Sequence, residues 1–241
     1  MTGFADIHTH LLPGADDGAK DMDAAMALVQ RAYESGTRVL VLTPHYRANY
    51  RCNTPQQLQS VFAQLCSAVQ ARFADVKLYL AQEIYYDAQA AEALAEGRAL
   101  GIHDSGYAMI EFSPKSTQAQ IQKGVDDFMY YGYRPVIAHA ERYQVLRRDK
   151  ALLDYVLSRG ALLQLNADSV LGSRGFAAAR FCRRMLKEGK ASFIASDAHD
   201  LHKRPPVLQK CFAYVNQKYG EGYAHVLFYD NPVAMLSGEG V

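Results

Sequence analysis

The segment Arg38-Val39-Leu40-Val41-Leu42-Thr43-Pro44-His45 contains a strand that is apolar almost throughout and is followed by a histidine. A strand with one face in water alternates apolar and polar side chains, whereas a strand covered on both faces is apolar almost throughout. The segment Ala161-Leu162-Leu163-Gln164-Leu165 has the same character. These two segments therefore favour a parallel sheet that is covered by helices on both faces.

Strand-like runs alternate with amphipathic helical patterns along the whole chain. The patterns predict strands at 4–8, 38–43, 77–82, 107–112, 134–138, 161–166 and 191–196. They predict helices at 21–35, from 54 onwards, and at 87–96, 117–131, 149–158, 176–188, 206–219 and 222–227. Seven such repeats in 241 residues, without a linker, predict one α/β domain over 1–241. A closed or nearly closed (β/α) barrel is expected, with a doubly wound open sheet as the alternative.

Composition and charge exclude several functional classes. The net charge is +1, so a nucleic-acid partner is not expected. The four cysteines lack the CxxC spacing of a zinc ribbon or disulfide scaffold. No secretory leader is visible, and no apolar run approaches the roughly 18 residues that cross a bilayer. A cytoplasmic location without membrane insertion is therefore expected, and a homo-oligomer remains open.

Residue types that bind metals follow six of the seven predicted strands. In either fold the carboxyl ends of the strands meet at one side, where function resides. His8 and His10 lie two residues apart, so both imidazoles point to one face of the first strand. Such dense polarity would be costly unless divalent cations compensated it; the alternative is a mouth of solvated polar side chains. The residues concerned are His8, His10, His45, Glu83, Glu111, His139, Asp197 and His199.

The order of these motifs resembles that of a known family. His-x-His, a lone His, Glu, His and Asp-x-His after successive strands are typical of the polymerase-and-histidinol-phosphatase (PHP) superfamily. Within it, nearly the whole chain resembles the bacterial PHP-type tyrosine-protein phosphatases of the CpsB, YwqE and CapC type. Gln82, where a small residue is expected, is a minor departure. The motifs that carry the resemblance are Asp6-Ile7-His8-Thr9-His10, Asp16-Asp17-Gly18, Glu83-Ile84-Tyr85-Tyr86, Ile110-Glu111-Phe112-Ser113, Val136-Ile137-Ala138-His139-Ala140-Glu141-Arg142-Tyr143 and Ile194-Ala195-Ser196-Asp197-Ala198-His199.

The resemblance implies a distorted (β/α)7 barrel of the PHP type that holds up to three divalent metal ions. Mn²⁺ is the expected ion, with Fe, Co or Zn as alternatives that the mixed nitrogen and oxygen ligands also suit. Glu83 is the implied bridging carboxylate, and the motif implies Asp17 rather than Asp16 as a ligand, a choice that spacing alone leaves open. The implied ligands are His8, His10, Asp17, His45, Glu83, Glu111, His139, Asp197 and His199.

Two arginines follow the last histidine motifs. Arg142 lies three residues past His139 and Arg204 five past His199, so both should lie at the mouth. Guanidinium groups form paired hydrogen bonds with phosphate oxygens, and the resembling phosphatases hold their substrate phosphate with arginines at these positions. We predict this role for Arg142 and Arg204 rather than that of a solvated charge, and leave it open for Arg47.

The functional hypothesis is a metal-dependent protein-tyrosine phosphatase. A metal-bound hydroxide would attack phosphorus directly, without a phosphoenzyme. By resemblance, the substrate is the phosphotyrosine tail of a bacterial tyrosine autokinase that controls capsule or exopolysaccharide synthesis. Tyr46, Tyr50, Tyr85 and Tyr86 are candidates for a peptide-binding rim. The alternatives are another PHP phosphoesterase, acting on histidinol phosphate or a nucleotide, and a noncatalytic module that binds a kinase tail.

One motif points to a different chemistry and is rejected. Cys66 and Arg72 have the Cys-x5-Arg spacing of cysteine-dependent tyrosine phosphatases. That chemistry needs a loop of backbone amides around the phosphate and a thiol of lowered pKa. The segment lacks glycine and continues a helical pattern, so we predict no catalytic role for Cys66.

Overall fold

The protein is described by a computed structural model that covers residues 3–48 and 53–241. Within these residues all the paired strands are parallel, in the orders β1-β2-β4 and β3-β5-β6-β7-β8-β9. The strands are β1 (Phe4–Thr9), β2 (Thr37–Leu42), β3 (His45–Tyr46), β4 (Lys77–Leu80), β5 (Glu83–Tyr85), β6 (Tyr107–Glu111), β7 (Arg134–Ile137), β8 (Leu162–Asn166) and β9 (Phe193–Ala195).

The two sheets are parts of one barrel. β2 and β3 continue one another across Thr43 and Pro44, and β4 and β5 do so across two residues. The Ala81 N–H donates to the Leu42 carbonyl (2.9 Å) and the Glu83 N–H to the Pro44 carbonyl (3.2 Å), so the interrupted strands stay together. The barrel therefore has seven strands, two of which are interrupted, which gives the nine short strands named above.

The barrel closes between its first strand and the segment after its last. The His10 N–H donates to the Ala198 carbonyl (2.8 Å), and the Asp197 N–H donates to the His8 carbonyl (2.9 Å). A bridge between Thr9 and Ala198 has the same parallel sense as the sheets. These bonds confirm the predicted seven-stranded (β/α) barrel and exclude the open sheet.

Helices surround the barrel, and most begin where the sequence predicts. Side chains of Asp21, Thr54, Thr117 and Asp149 accept hydrogen bonds at the helix starts that they cap. A turn of 3-10 helix at Ala140–Arg142 and a π-helical turn at Val226–Asp230 complete the set. The helices are α1 (Met22–Glu34), α2 (Pro55–Arg72), α3 (Ala90–Ala95), α4 (Gln118–Tyr130), α5 (Gln144–Arg148), α6 (Lys150–Ser158), α7 (Ala167–Leu171), α8 (Phe176–Lys187), α9 (Gln209–Tyr219), α10 (Glu221–His225) and α11 (Asn231–Leu236).

Two predicted helices were too long. Residues 87–89 precede α3 rather than belonging to it, and α9 starts at Gln209 instead of residue 206. The Ser35 hydroxyl donates to the Pro206 carbonyl (3.2 Å), which fixes this segment against the end of α1. A tertiary contact of this kind overrides a local helical pattern.

The core explains the apolar strands. Val39 and Val41 pack inside the barrel, whereas Leu40 and Leu42 pack outside against the layer that contains α1 and α2. Both faces of the strand are thus buried, as its sequence predicts. No helix in the described part of the chain is both long and apolar enough to span a bilayer.

Candidate metal centre

The nine predicted ligands converge at the mouth of the barrel, where the carboxyl ends of the strands meet. Among the described residues, three groups of side chains have ligand atoms close enough to share an ion. The first group is His8, His10 and Asp197; the second is His10, Asp17, His45 and His199; the third is His45, Glu83 and Glu111. His139 lies beside the third group, because Nε2 of His139 is 3.6 Å from Oε1 of Glu111.

Glu83 lies at the centre of the cluster. Its Oε2 is 3.3 Å from Nε2 of both His8 and His10 and 3.0 Å from Nδ1 of His45. Its Oε1 is 2.7 Å from Nε2 of His139. Burial opposes ionisation of this carboxyl, but the imidazoles outweigh burial and hold the pKa of Glu83 well below its usual range. A carboxylate with histidines on both oxygens has the arrangement expected of a bridging ligand.

The first group fits a cation because its imidazoles present lone pairs to each other. Nδ1 of His8 donates to the Gln164 amide oxygen (3.0 Å), and Nδ1 of His10 to Asp16 (2.6 Å). In the neutral rings both Nε2 atoms are therefore acceptors, yet they lie 3.2 Å apart. Asp197 Oδ1 is 3.6 Å from each. Ligands at 2.0–2.1 Å around a tetrahedral ion are separated by about 3.4 Å, which these spacings approach.

The second group also brings acceptor atoms together without a donor between them. The His199 Nδ1–H donates to the Asp197 carbonyl (3.0 Å), which leaves its Nε2 as an acceptor. That Nε2 is buried and makes no hydrogen bond, while Asp17 Oδ1 lies 3.5 Å away. The same oxygen lies 3.4 Å from Nε2 of His45. A cation between these atoms would satisfy all of them.

Asp16 and Asp17 have separate places. Asp16 lies behind His10, where Oδ2 contacts the ring and accepts the His45 N–H (3.0 Å), and Oδ1 accepts the Gly18 N–H (3.0 Å). Asp17 faces the second group. Gly18 permits this path, since a Cβ there would meet the His10 carbonyl oxygen at 1.9 Å.

The electrostatics of the centre reflect its concentration of carboxylates. Burial disfavours the charged form of His10, but Asp16 and Glu83 outweigh it and raise the pKa of His10 to about 9. Burial and the neighbouring Glu83 raise the pKa of Glu111 to about 7. Each shift lowers the net negative charge of the cluster, which bound cations would also do.

Sequence reasoning missed three side chains that hold these ligands in place. The His139 N–H donates to Oε1 of Gln164 (2.7 Å), which fixes the orientation of the Gln164 amide. The amide nitrogen of Gln164 then donates to Oδ1 of Asn166 (2.9 Å). Asn166 donates to Asp197 Oδ2 (2.8 Å), and Tyr143 Oη lies 3.3 Å from Nδ1 of His139. Two polar residues on one face of the otherwise apolar β8 were the available signal.

Both predicted arginines lie at the centre. Arg142 donates to Asp197 Oδ2 (2.8 Å) and Arg204 to Asp197 Oδ1 (2.5 Å). His8, His139 and Arg142 keep the pKa of Asp197 below its usual range despite its burial. The guanidinium of Arg47 lies over the Tyr85 ring, 3.8 Å from its centroid.

Backbone strain also occurs at this mouth. His139 and Asp197 adopt left-handed conformations, with φ of 33° and 55°, two residues beyond the last residues of β7 and β9. Such values are uncommon for residues other than glycine and concentrate at functional sites. The turn at each residue directs a predicted ligand into the cluster.

The remaining polar candidates lie elsewhere. His103 packs edge-to-face against Tyr79, and His225 contacts Asp230. Gln82 is buried, and its amide oxygen accepts the Leu100 N–H (3.0 Å). This side chain therefore stabilises the loop at Leu100 and is not part of the metal groups. Cys66 lies on α2, where burial raises the pKa of its thiol.

Comparisons with known proteins agree with this arrangement. A family model described as "Capsular polysaccharide synthesis, CpsB/CapC" matches residues 4–237. The chain is 32% identical to the tyrosine-protein phosphatase CpsB of Streptococcus pneumoniae, covering 94% of this chain and 96% of that protein. It is 28% identical to the tyrosine-protein phosphatase YwqE of Bacillus subtilis, with coverages of 92% and 87%. A crystal structure from a study of YwqE and CpsB, described as "unique metal-dependent tyrosine phosphatases", superposes with a TM-score of 0.91 at 27% identity, covering 98% and 96% of the two chains.

Proposed function

The chain belongs to the CpsB/CapC family of capsular polysaccharide synthesis, and from this we propose that it is a metal-dependent protein-tyrosine phosphatase. The observation that carries the proposal is the convergence of imidazole lone pairs and carboxylates around shared points at the barrel mouth. Two arginines contact the same cluster and offer donors for phosphate oxygens. Relatives that align over nearly the whole chain are named tyrosine-protein phosphatases.

We propose that the centre binds up to three divalent cations, with Mn²⁺ expected and Fe, Co or Zn as alternatives. The three ligand groups support this number, and Glu83 would bridge between them. We also propose that 1–241 acts as one phosphoesterase domain, because ligands from the first strand and from beyond the last strand belong to one group. The proposed ligands are His8, His10, Asp17, His45, Glu83, Glu111, His139, Asp197 and His199.

The mechanism assigns distinct tasks to the protein and its ions. Divalent cations held by this cluster would supply Lewis acidity and would lower the pKa of water at the site, which favours direct attack of water on phosphorus. Arg142 and Arg204 bind equatorial phosphoryl oxygens and neutralise charge that develops during transfer. The phenolate leaving group has a conjugate-acid pKa of about 10, so it needs less protonation than a serine alkoxide.

We propose that the substrate is the phosphotyrosine tail of a bacterial tyrosine autokinase that controls capsule synthesis. The expected site of action is the cytoplasm, and the three described cysteines are unpaired, as in a reducing compartment. Tyr85, the last residue of β5, and the adjacent Tyr86 are rim candidates. Tyr46, the last residue of β3, is buried in the hydrophobic core and is not available for a rim. Tyr50 lies outside the described residues.

Metal removal and substrate comparison test the proposal. Purified protein should contain divalent metal, hydrolyse a phosphotyrosine peptide, lose this activity with a chelator and regain it with Mn²⁺. Phosphoserine peptide, histidinol phosphate and nucleotides should be turned over much more slowly. A preference for histidinol phosphate or a nucleotide would favour another phosphoesterase, and no hydrolysis at full metal occupancy would favour a binding module. Trapping a covalent phosphoenzyme would overturn direct attack by water.

A further inference from the structure

A groove leads from the metal centre onto the outer wall of the barrel. It has a volume of about 400 Å³ and starts at Ala167 and Ser196, directly after β8 and β9. Its lining continues to Lys210, in the first turn of α9, and Arg31, in the last turn of α1. Because α1 follows β1, it starts at the mouth and runs towards the opposite end. The groove therefore descends from the mouth along the wall.

Positive charge is concentrated in this groove, which we call the basic groove. Its one carboxylate, Asp168, forms an ion pair with Arg174 at 2.5 Å. The whole chain, by contrast, has 26 basic and 25 acidic residues. The local excess is thus a property of this surface rather than of the composition. The cationic side chains of the lining are Arg31, Arg174, Lys203, Arg204 and Lys210.

Three of these cations take part in no ion pair with the described residues. Arg31, Lys203 and Lys210 are exposed, and none forms an ion pair with a residue in the described part of the chain. Cations that share one concavity raise its potential and attract anions into it. The groove is therefore electrostatically suited to an anionic ligand.

Arg204 connects the groove to the metal centre. Its guanidinium donates to Asp197 in the centre, and its side chain also lines the groove. A peptide whose phosphate is held at Arg204 would enter the groove with its neighbouring residues. An extended peptide advances about 3.3 Å per residue, so residues close to the phosphotyrosine would reach the cations.

We propose that the basic groove binds acidic side chains next to the phosphotyrosine of the peptide substrate. This inference rests on the proposed phosphatase function and adds a determinant of substrate choice to it. The recognised group is an anion, supplied either by Asp and Glu carboxylates or by a second phosphotyrosine. Its partners are Lys203, Lys210 and Arg31.

Peptide selectivity provides the test. Phosphotyrosine peptides would carry alanines, aspartates before the phosphotyrosine, aspartates after it, or a second phosphotyrosine. For at least one anionic peptide, kcat/KM of the unmodified protein should exceed that for the alanine peptide by about five- to tenfold, as expected for a few screened ion pairs. Lys203→Ala/Lys210→Ala should abolish this preference, whereas Lys187→Ala/Lys218→Ala, which removes the same charge outside the groove, should keep it.

The outcome separates the groove from the phosphatase function. Turnover without any anionic preference, or a preference that survives Lys203→Ala/Lys210→Ala, would overturn the groove proposal alone. If no peptide is hydrolysed, the phosphatase proposal fails, and affinities of the fluorescently labelled peptides still measure the anionic preference. That preference should weaken as NaCl shortens the screening length from about 10 Å at 0.1 M towards 3 Å at 1 M.

Discussion

At the scale of residues, metal binding by the centre depends on which nitrogen of each imidazole is hydrogen-bonded to a neighbouring side chain, because only the other nitrogen can face a cation. Asp16 fixes Nδ1 of His10, and Gln164 fixes Nδ1 of His8. The sequence indicated the ligand types because they follow strand ends. It could not separate Asp16 from Asp17 by spacing, since the choice depends on how the loop passes over His10 at Gly18.

Asp16→Asn should weaken metal binding while leaving the ligands in place. Asp16 makes the His10 ring more basic, and losing such an outer carboxylate typically lowers metal affinity about 10- to 100-fold. Titration of metal-free protein with Mn²⁺ measures this change. Asp23→Asn, an exposed carboxylate in the first turn of α1, is the matched control. Equal affinities in the two variants would contradict the assigned role.

Arg142→Ala should lower kcat/KM for phosphotyrosine peptide by about 10²-fold or more, as when a single donor to the transition state is removed. Metal content should persist, because Arg142 donates to Asp197 and is not itself a ligand. Arg142→Lys should recover part of the loss, since it keeps the charge but not the planar fork. Arg159→Ala, an exposed arginine paired with Asp126, serves as the control. Full activity in Arg142→Ala would remove Arg142 from the mechanism.

At the scale of elements, two barrel strands continue past a break, beyond the strands that the sequence predicts. The predicted strands at 38–43 and 77–82 correspond to β2 and β4, and the short strands β3 and β5 that follow them carry His45 and Glu83. Pro44 supplies no N–H to a ladder, which hints at the first break. The second break depends on bonds to a neighbouring strand and to Leu100, which local patterns do not encode.

Cys66→Ser tests the assignment of α2 as a structural helix. The amides around Cys66 belong to a continuous helix, Pro55–Arg72, and form no cradle for phosphate. Burial raises the pKa of the thiol, which opposes formation of the nucleophilic thiolate. We expect kcat/KM on phosphotyrosine peptide to be nearly unchanged. An inactive variant that still folds and binds metal would support cysteine chemistry instead.

At the scale of the whole molecule, seven repeats predicted a barrel but not its closure. An open sheet has the same repeats and the same apolar strands, so patterns along the chain leave both folds available. The distinction lies in the seam of His8, His10, Asp197 and Ala198, which are far apart in sequence. Asp6 reinforces this seam, because its Oδ1 accepts the Ser196 N–H (3.0 Å).

Asp6→Ala should destabilise the fold, since it leaves the buried Ser196 N–H without an acceptor. The expected loss is about 1–3 kcal/mol in the free energy of unfolding, and Asp6→Asn, which keeps an acceptor oxygen, should lose less. Burial raises the pKa of Asp6 to about 6. Urea unfolding of chelator-treated protein at about pH 5, where this carboxyl is largely neutral, makes the comparison. Equal stability of Asp6→Ala and the unmodified chain would show that the seam does not need this bond.

The seam also determines how late in synthesis one of the proposed metal groups can form. The group His8, His10 and Asp197 combines residues from the first strand and from beyond the last. A nascent chain therefore carries its first ligands from the outset but cannot assemble this group until Asp197 has left the ribosome. Any product truncated before that point retains His8 and His10 but lacks Asp197, the third member of their group. Capture of a metal by this group would therefore require that nearly all of the polypeptide has been made and folded.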